Sequence, residues 1–293
     1  MDKLFFSLPG NEILTQSLAE KCGAVLGKLT IRSFPDKETY IRVESDVKEK
    51  QVILVCTLNY PDEKLLALYY LTHTVKELGA KSVCLVAPYL AYMRQDKRFQ
   101  PGEAVTSTYF AKLISSFVDS LITIDPHLHR RSALGEIYTI PTTVLHAAPI
   151  VSNWIRDHVE SPLLIGPDSE SAQWVSDMAD HTKAPFIILE KVRRGDHDVQ
   201  VSDPQVHKYR NHTPILVDDI ISTAQTMIKT IAHLQKAGMK KPICIGVHGI
   251  FADQSLSNLW DAGAADIITC NTIPHQSNQI IIDELILSAI RQI

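Results

Sequence analysis

The 293-residue sequence has no C-x-x-C pair, no run of three or more consecutive lysines or arginines and no low-complexity linker. It also lacks the run of about 20 apolar residues that a membrane-spanning helix needs. Each absence removes a class. Five cysteines, at positions 22, 56, 84, 244 and 270, are too few and too scattered for a disulfide framework or a zinc ribbon, and several lie inside apolar runs. They read as buried thiols of a reducing compartment. The opening stretch MDKLFFSLPGNE has too short an apolar core for a signal peptide. A cytoplasmic protein is therefore expected, with no membrane partner. A formal charge of −4 leaves no footprint for nucleic acid.

What is present describes an ordinary globular chain, 45% apolar and 21% charged, with room for two domains of roughly 150 residues. Apolar runs at 4–8, 29–34, 40–43, 52–57, 83–87 and 121–124 read as strands. Between them, 62–78 carries apolar residues at helical spacing with Pro61 before and Gly79 after, and 104–117 is a second amphipathic helix. The second half repeats the rhythm, with strands near 163–165, 186–189, 215–217, 243–247 and 267–269 and helices near 170–182, 226–237 and 256–262. Alternation of this kind, twice over, predicts two doubly wound parallel-sheet α/β domains, 1–145 and 146–293. The last helix is expected to pack back on the first domain. Ligands of such folds favour domain interfaces and the carboxyl ends of strands, so a cleft between the two domains is expected to hold the site.

The chemistry-bearing residues sit at those strand ends. In Pro214-Ile215-Leu216-Val217-Asp218-Asp219 an apolar strand runs into two acids, which suit ribose hydroxyls and a hard cation. Ser222, Thr223, Ala224, Gln225 and Thr226 follow at a helix entrance, where backbone N–H groups, hydroxyls and the helix dipole can receive a phosphate. Asp218 could equally end a strand, and Ser222 could simply cap a helix. After the strand at 83–87 come Arg94, Gln95, Asp96, Lys97 and Arg98, a cationic cluster suited to a triphosphate or to a solvated turn. Asp125, His127 and His129 close the strand at 121–124, and histidine there packs more often than it ligates. Asp168 tips the strand at 163–165, where an acid also caps helices. Lys191 and Arg193, two apart on an extended segment, point to one side, as a surface basic cluster also would.

Taken together, PYLAYMRQDKRF, D-P-H, the Gly-Pro-Asp segment, K-V-R and VDDIISTAQT, in this order over nearly the whole chain, resemble the ribose-phosphate pyrophosphokinases, in the shorter archaeal-like branch of that phosphoribosyltransferase-fold family. The resemblance implies transfer of a pyrophosphoryl group from MgATP to the anomeric hydroxyl of ribose 5-phosphate. It implies ATP contacts at Arg94, Gln95, Asp96 and Lys97, with 97–106 as a lid. It implies adenine recognition across a subunit boundary by the turn carrying Phe34, Asp36, Lys37 and Glu38, hence at least a homodimer. Mg2+ would be associated with His127 and Asp168. Lys191 would be the main catalytic residue with Arg193 beside it on phosphate oxygens, and Asp218 to Thr226 would bind ribose 5-phosphate. Two departures stand out, Lys37 and Ala224-Gln225, where the family usually carries glycine. A non-catalytic regulatory subunit and a base phosphoribosyltransferase are the alternatives. The latter would not need the RQDK segment, and the former would not need Lys191, Arg193, His127 and Asp168.

Overall fold

The computed structural model describes residues 2–166, 171–189, 191–194, 198–201 and 206–293. The chain divides into two units, one made of 1–145 with 283–293 and the other of 146–282.

The first unit runs β1 (Lys3–Ser7), α1 (Glu12–Cys22), β2 (Val25–Leu26), β3 (Leu29–Ser33), β4 (Thr39–Val43), β5 (Gln51–Val55), α2 (Pro61–Glu77), β6 (Ser82–Ala87), α3 (Thr106–Ser115), β7 (Ser120–Ile124) and β8 (Thr142–Leu145). Six strands form one parallel sheet in the order β2-β1-β5-β6-β7-β8. Every residue of β5 is buried, as the continuous run Gln51-Val52-Ile53-Leu54-Val55 predicts for a strand covered on both faces. β3 and β4 stand apart as an antiparallel hairpin. α1 was not singled out by periodicity. It ends where Gly23 turns to φ 63 and its N–H reaches the Glu20 carbonyl.

The second unit runs α4 (Ala148–His158), β9 (Pro162–Gly166), α5 (Ala172–Thr182), β10 (Phe186–Ile188), β11 (Lys191–Arg194), β12 (Asp198–Val201), β13 (Thr213–Ile221), α6 (Gln225–Lys236), β14 (Ile243–Gly249), α7 (Ser255–Asp261), β15 (Asp266–Cys270) and β16 (Asn278–Ile280). α8 (Asp283–Ile290) then belongs to the first unit, where it packs on α1. The second sheet is also six-stranded and parallel, in the order β10-β9-β13-β14-β15-β16. From β9 the chain goes outward on one side to β10 and returns on the other to β13, so strand order reverses between β9 and β13. The carboxyl ends of those two strands flank the crevice where such sheets bind ligands. Behind it, Leu163, Ile165, Leu216, Met227, Ile231 and Leu234 form a buried core. Each such side chain contributes about 1.5–3 kcal/mol.

One boundary differs from the sequence expectation. β13 does not stop at Val217 but pairs with β14 as far as Ile221, opposite Gly249. Ile220 and Ile221 are β-branched and continue the ladder, so Asp218 and Asp219 lie within the strand's last turns of pleat and not beyond its end. The cysteines are free thiols, and burial pushes Cys56 up to about 12, Cys84 to about 11 and Cys244 to about 12. Buried and raised in this way, those three thiols stay protonated at neutral pH. Among the described residues no helix is long and apolar enough to cross a membrane.

Candidate active site

In the first unit, β6 gives way to a segment whose residues alternate between inside and outside. Tyr89, Leu90, Ala91 and Met93 are buried, while Arg94 is exposed and Gln95 is half-buried. Tyr92, at φ 62, donates its hydroxyl to the Asp62 carboxylate in the first turn of α2. That bond and burial push the phenol up to about 12. Asp96 turns inward. Its carboxylate is 2% exposed and accepts from the Arg130 guanidinium at 3.1 and 3.3 Å. Arg131 donates to the Asp96 carbonyl at 3.4 Å, to Thr108 Oγ1 at 3.2 Å and to Ser107 Oγ at 3.5 Å. Lys97 is exposed, with its ammonium 5.2 Å from the Phe99 ring. The rest of the 97–106 segment closes on itself: the Glu103 carboxylate accepts from the Phe99 and Gln100 N–H groups, and Arg98 Nε donates to the Glu103 carbonyl.

At the end of β7, Asp125 sits at φ 35, and the rings of His127 and His129 meet edge to face with centroids 3.9 Å apart. The β3–β4 hairpin carries the third expected group. Phe34 is 39% exposed, meets Tyr40 edge to face, and lies under the Arg32 guanidinium at 4.7 Å. Its turn is closed by Phe34 N–H to the Glu38 carbonyl at 2.8 Å, and Asp36 Oδ1 accepts from Glu38 N–H at 3.2 Å. Lys37 adopts φ 76.

In the second unit, the half-buried Asp218 accepts from Asp219 N–H at 3.0 Å. Beyond Ile221 the chain forms a short loop, Ser222 to Ala224, and enters α6 at Gln225. Ala224 is the cap residue at φ 57 and ψ 9, and its methyl makes no capping hydrogen bond. The loop is gripped from behind: Ile250 and Phe251 N–H both donate to the Ile221 carbonyl at 3.0 Å, and Ala252 N–H donates to the Ser222 carbonyl at 3.2 Å. A Cβ on Gly246 would lie 2.6 Å from Ile221 Cγ1, and one on Gly249 2.6 Å from the Phe251 ring. Those two glycines make room for the residues that hold the loop. Phe251 packs on His275, whose imidazole is held below its ordinary range by burial. Nearby, His248 Nδ1 bonds the Thr272 hydroxyl, which itself donates to the Val247 carbonyl.

Lys191 and Arg193 lie on β11, paired antiparallel with β12 opposite Val201 and Val199. Asp168 lies outside the described residues. The sequence did not single out Arg130, Arg131, Phe251 or His275. The Arg130-Arg131 pair beside the D-P-H segment was visible, but its partners 34 and 23 residues away were not.

Residues 4–117 match a profile described as the N-terminal domain of ribose phosphate pyrophosphokinase, and residues 133–284 match the phosphoribosyl transferase domain. The ribose-phosphate pyrophosphokinase of Methanobrevibacter smithii is 30% identical over 291 residues, covering 95% of this chain and 96% of that one. That of Saccharolobus solfataricus is 29% identical over 273 residues, covering 92% of each. The chain belongs to the ribose-phosphate pyrophosphokinase family. The crystal structure of phosphoribosylpyrophosphate synthetase from Mycobacterium smegmatis shares the fold, with a TM-score of 0.88 at 22% identity, covering 99% of this chain and 98% of that one. As a pyrophosphokinase-family chain it keeps a feature of its two departures: Lys37 and Ala224 both hold the positive φ that glycine accepts without strain.

Proposed function

We propose that this protein transfers the pyrophosphoryl group of MgATP to the anomeric hydroxyl of ribose 5-phosphate, giving 5-phosphoribosyl 1-pyrophosphate and AMP. The observation that carries the reading is the start of α6, a helix entered through Ala224, whose methyl offers its first N–H groups no capping oxygen, just beyond the strand that bears Asp218 and Asp219. The first turn of a helix leaves N–H groups without intrahelical acceptors, and with Ser222, Thr223 and Thr226 they receive the sugar's 5-phosphate. Ala224 and Gln225 supply backbone to the same cradle. The two carboxylates then accept from the ribose hydroxyls.

On the nucleotide side, Arg94, Gln95 and Lys97 meet ATP, and Phe34, Asp36, Lys37 and Glu38 read its base in a neighbouring copy, so the working form is a homodimer or larger. The anomeric oxygen attacks the β-phosphorus, the bond from that phosphorus to the oxygen bridging it to the α-phosphate breaks, AMP leaves with the bridging oxygen, and the hydroxyl proton is released. Lys191 and Arg193 offset the charge that moves onto the leaving oxygen. Mg2+ suits the carboxylates here better than the paired imidazoles, because it prefers oxygen and keeps its waters. Asp168 would hold it, and His127 would associate with it through water or nucleotide. When bound, the ion neutralises triphosphate charge. The protein acts in the cytoplasm.

Phosphorus NMR with Mg2+, ATP and ribose 5-phosphate tests the reading. AMP and the product's pyrophosphate signals should appear only when all three are present. ADP with a singly phosphorylated sugar would mean ordinary kinase chemistry, and no product would favour a non-catalytic subunit. Lys191→Ala should lower turnover by on the order of 10²–10³ while the protein stays folded.

A further inference from the structure

The inward turn of Asp96 poses an electrostatic problem with a structural answer. An acid among Arg94, Lys97 and Arg98 would repel a triphosphate, and a carboxylate only 2% exposed is costly to bury without a partner. Arg130 supplies the partner with two bonds from one nitrogen, at 3.1 and 3.3 Å, and lays its guanidinium 5.6 Å from the Phe99 ring. Arg131 takes the Asp96 carbonyl and the first turn of α3 together, through Ser107 and Thr108. Four residues before Asp96, Tyr92 is tied to Asp62. Arg94 and Gln95 are thus the two outward residues between two clamps, and one clamp comes from the loop that carries His127 and His129.

We propose that Asp96 and Arg130 form a positioning pair. Asp96 is not a nucleotide ligand; with Arg130 it fixes the backbone that presents Arg94, Gln95 and Lys97, it removes its own charge from the triphosphate's field, and it joins that segment to the histidine loop. The proposal deepens the ATP-contact reading of Arg94 to Lys97 and rests on it for its kinetic consequence, though not for the clamp itself.

Two measurements separate the clamp from the reading beneath it. Hydrogen exchange of the ligand-free protein should show amides in 97–106 exchanging about tenfold faster or more in Arg130→Ala, with Arg130→Lys restoring part of the protection. In MgATP titrations and steady-state kinetics, Arg130→Ala and Asp96→Asn should each raise the ATP constant about 10- to 100-fold, with the ribose 5-phosphate KM unmoved. The double variant should be no worse than either single one, because both remove one interaction. Unchanged exchange at 97–106 in Arg130→Ala would overturn the proposal. So would an Asp96→Asn variant that loses ATP while Arg130→Ala keeps it, since Asp96 would then be a ligand. Should Arg130→Ala not fold, Asp96→Asn, which keeps the side chain's size and shape, carries the same two readouts. If the unmodified protein binds no ATP, the functional reading falls while the exchange result still decides the clamp.

Discussion

The segment after β6 and the loop after β13 both follow the carboxyl end of a central parallel strand, yet they are held by opposite means. The first hangs on charged and polar side chains from elsewhere: Arg130 and Arg131 on Asp96, Ser107 and Thr108, and Asp62 on Tyr92. The second hangs on main chain, with three N–H groups of 250–252 on the carbonyls of Ile221 and Ser222, on the buried Ala224 methyl, and on the missing side chains of Gly246 and Gly249. A side-chain clamp can be lost one residue at a time and feels salt and charge reversal. A main-chain clamp ignores the identity of the residues that donate, but it tolerates nothing bulky where the backbones must come close.

The sharpest way to break that contrast is Arg131→Ala. Its guanidinium is mostly buried and serves three acceptors in addition to an ion pair to Glu136 at 3.9 Å. Leaving Ser107 and its neighbours unsatisfied should cost about 2–4 kcal/mol, seen as a lower denaturation midpoint with the second unit's β-sheet amides unaffected in hydrogen exchange. Wild-type stability would mean the side-chain clamp is ornamental. Next comes Gly246→Ala, whose methyl would collide with Ile221. A cost of roughly 1–3 kcal/mol is expected, with the ribose 5-phosphate KM rising more than that for ATP. Equal changes in both constants would show that the loop is not what Ile221 supports.

A smaller effect separates the two strained residues. Lys37→Gly replaces an exposed side chain at φ 76 and should gain about 1 kcal/mol, since a left-handed backbone penalises any Cβ. Ala224→Gly removes the same kind of strain but also a buried methyl worth about 0.8 kcal/mol, so its net change should stay near zero. Thermal melts of both variants check this, and an equal gain in both would mean the Ala224 methyl packs against nothing useful. The smallest effect is pH-dependent. Burial lowers the His275 pKa from 6.5 in the folded state, so as pH falls through 6.5 the unfolded chain binds a proton first and stability declines until the folded imidazole also protonates. His275→Gln should flatten that slope in denaturation series between pH 7 and the folded value.

The strands and most helices were legible because continuous apolar runs and 3.6-residue spacing carry them. The loop from Ser222 to Ala224 was legible as a loop because acids, hydroxyls and a helix pattern fall in one stretch. β13 ran longer than expected because pairing with β14, not local composition, decided its end. Hairpin β11–β12 and the short β16 left no comparable pattern. What the sequence could not display is which residue answers which: Asp96 reads as one more polar neighbour of Arg94 until Arg130, 34 residues on, is placed against it. The positive φ of Lys37 and Ala224 was readable only as the ghost of an expected glycine.

The return of α8 to α1 has a consequence in the order of synthesis. Ser17 and Lys21 of α1 find Asp283 and Glu284, and Ile286, Leu287 and Ile290 cover a face of the first unit. A ribosome delivers that helix only after all of 146–282, a delay of roughly 7–30 s at ordinary elongation rates. Through that interval the first-made unit stands with one wall open and α1's apolar flank wet. Its completion waits on the whole of the second unit, so a nascent chain released before residue 283 leaves α1, made long before, without its cover.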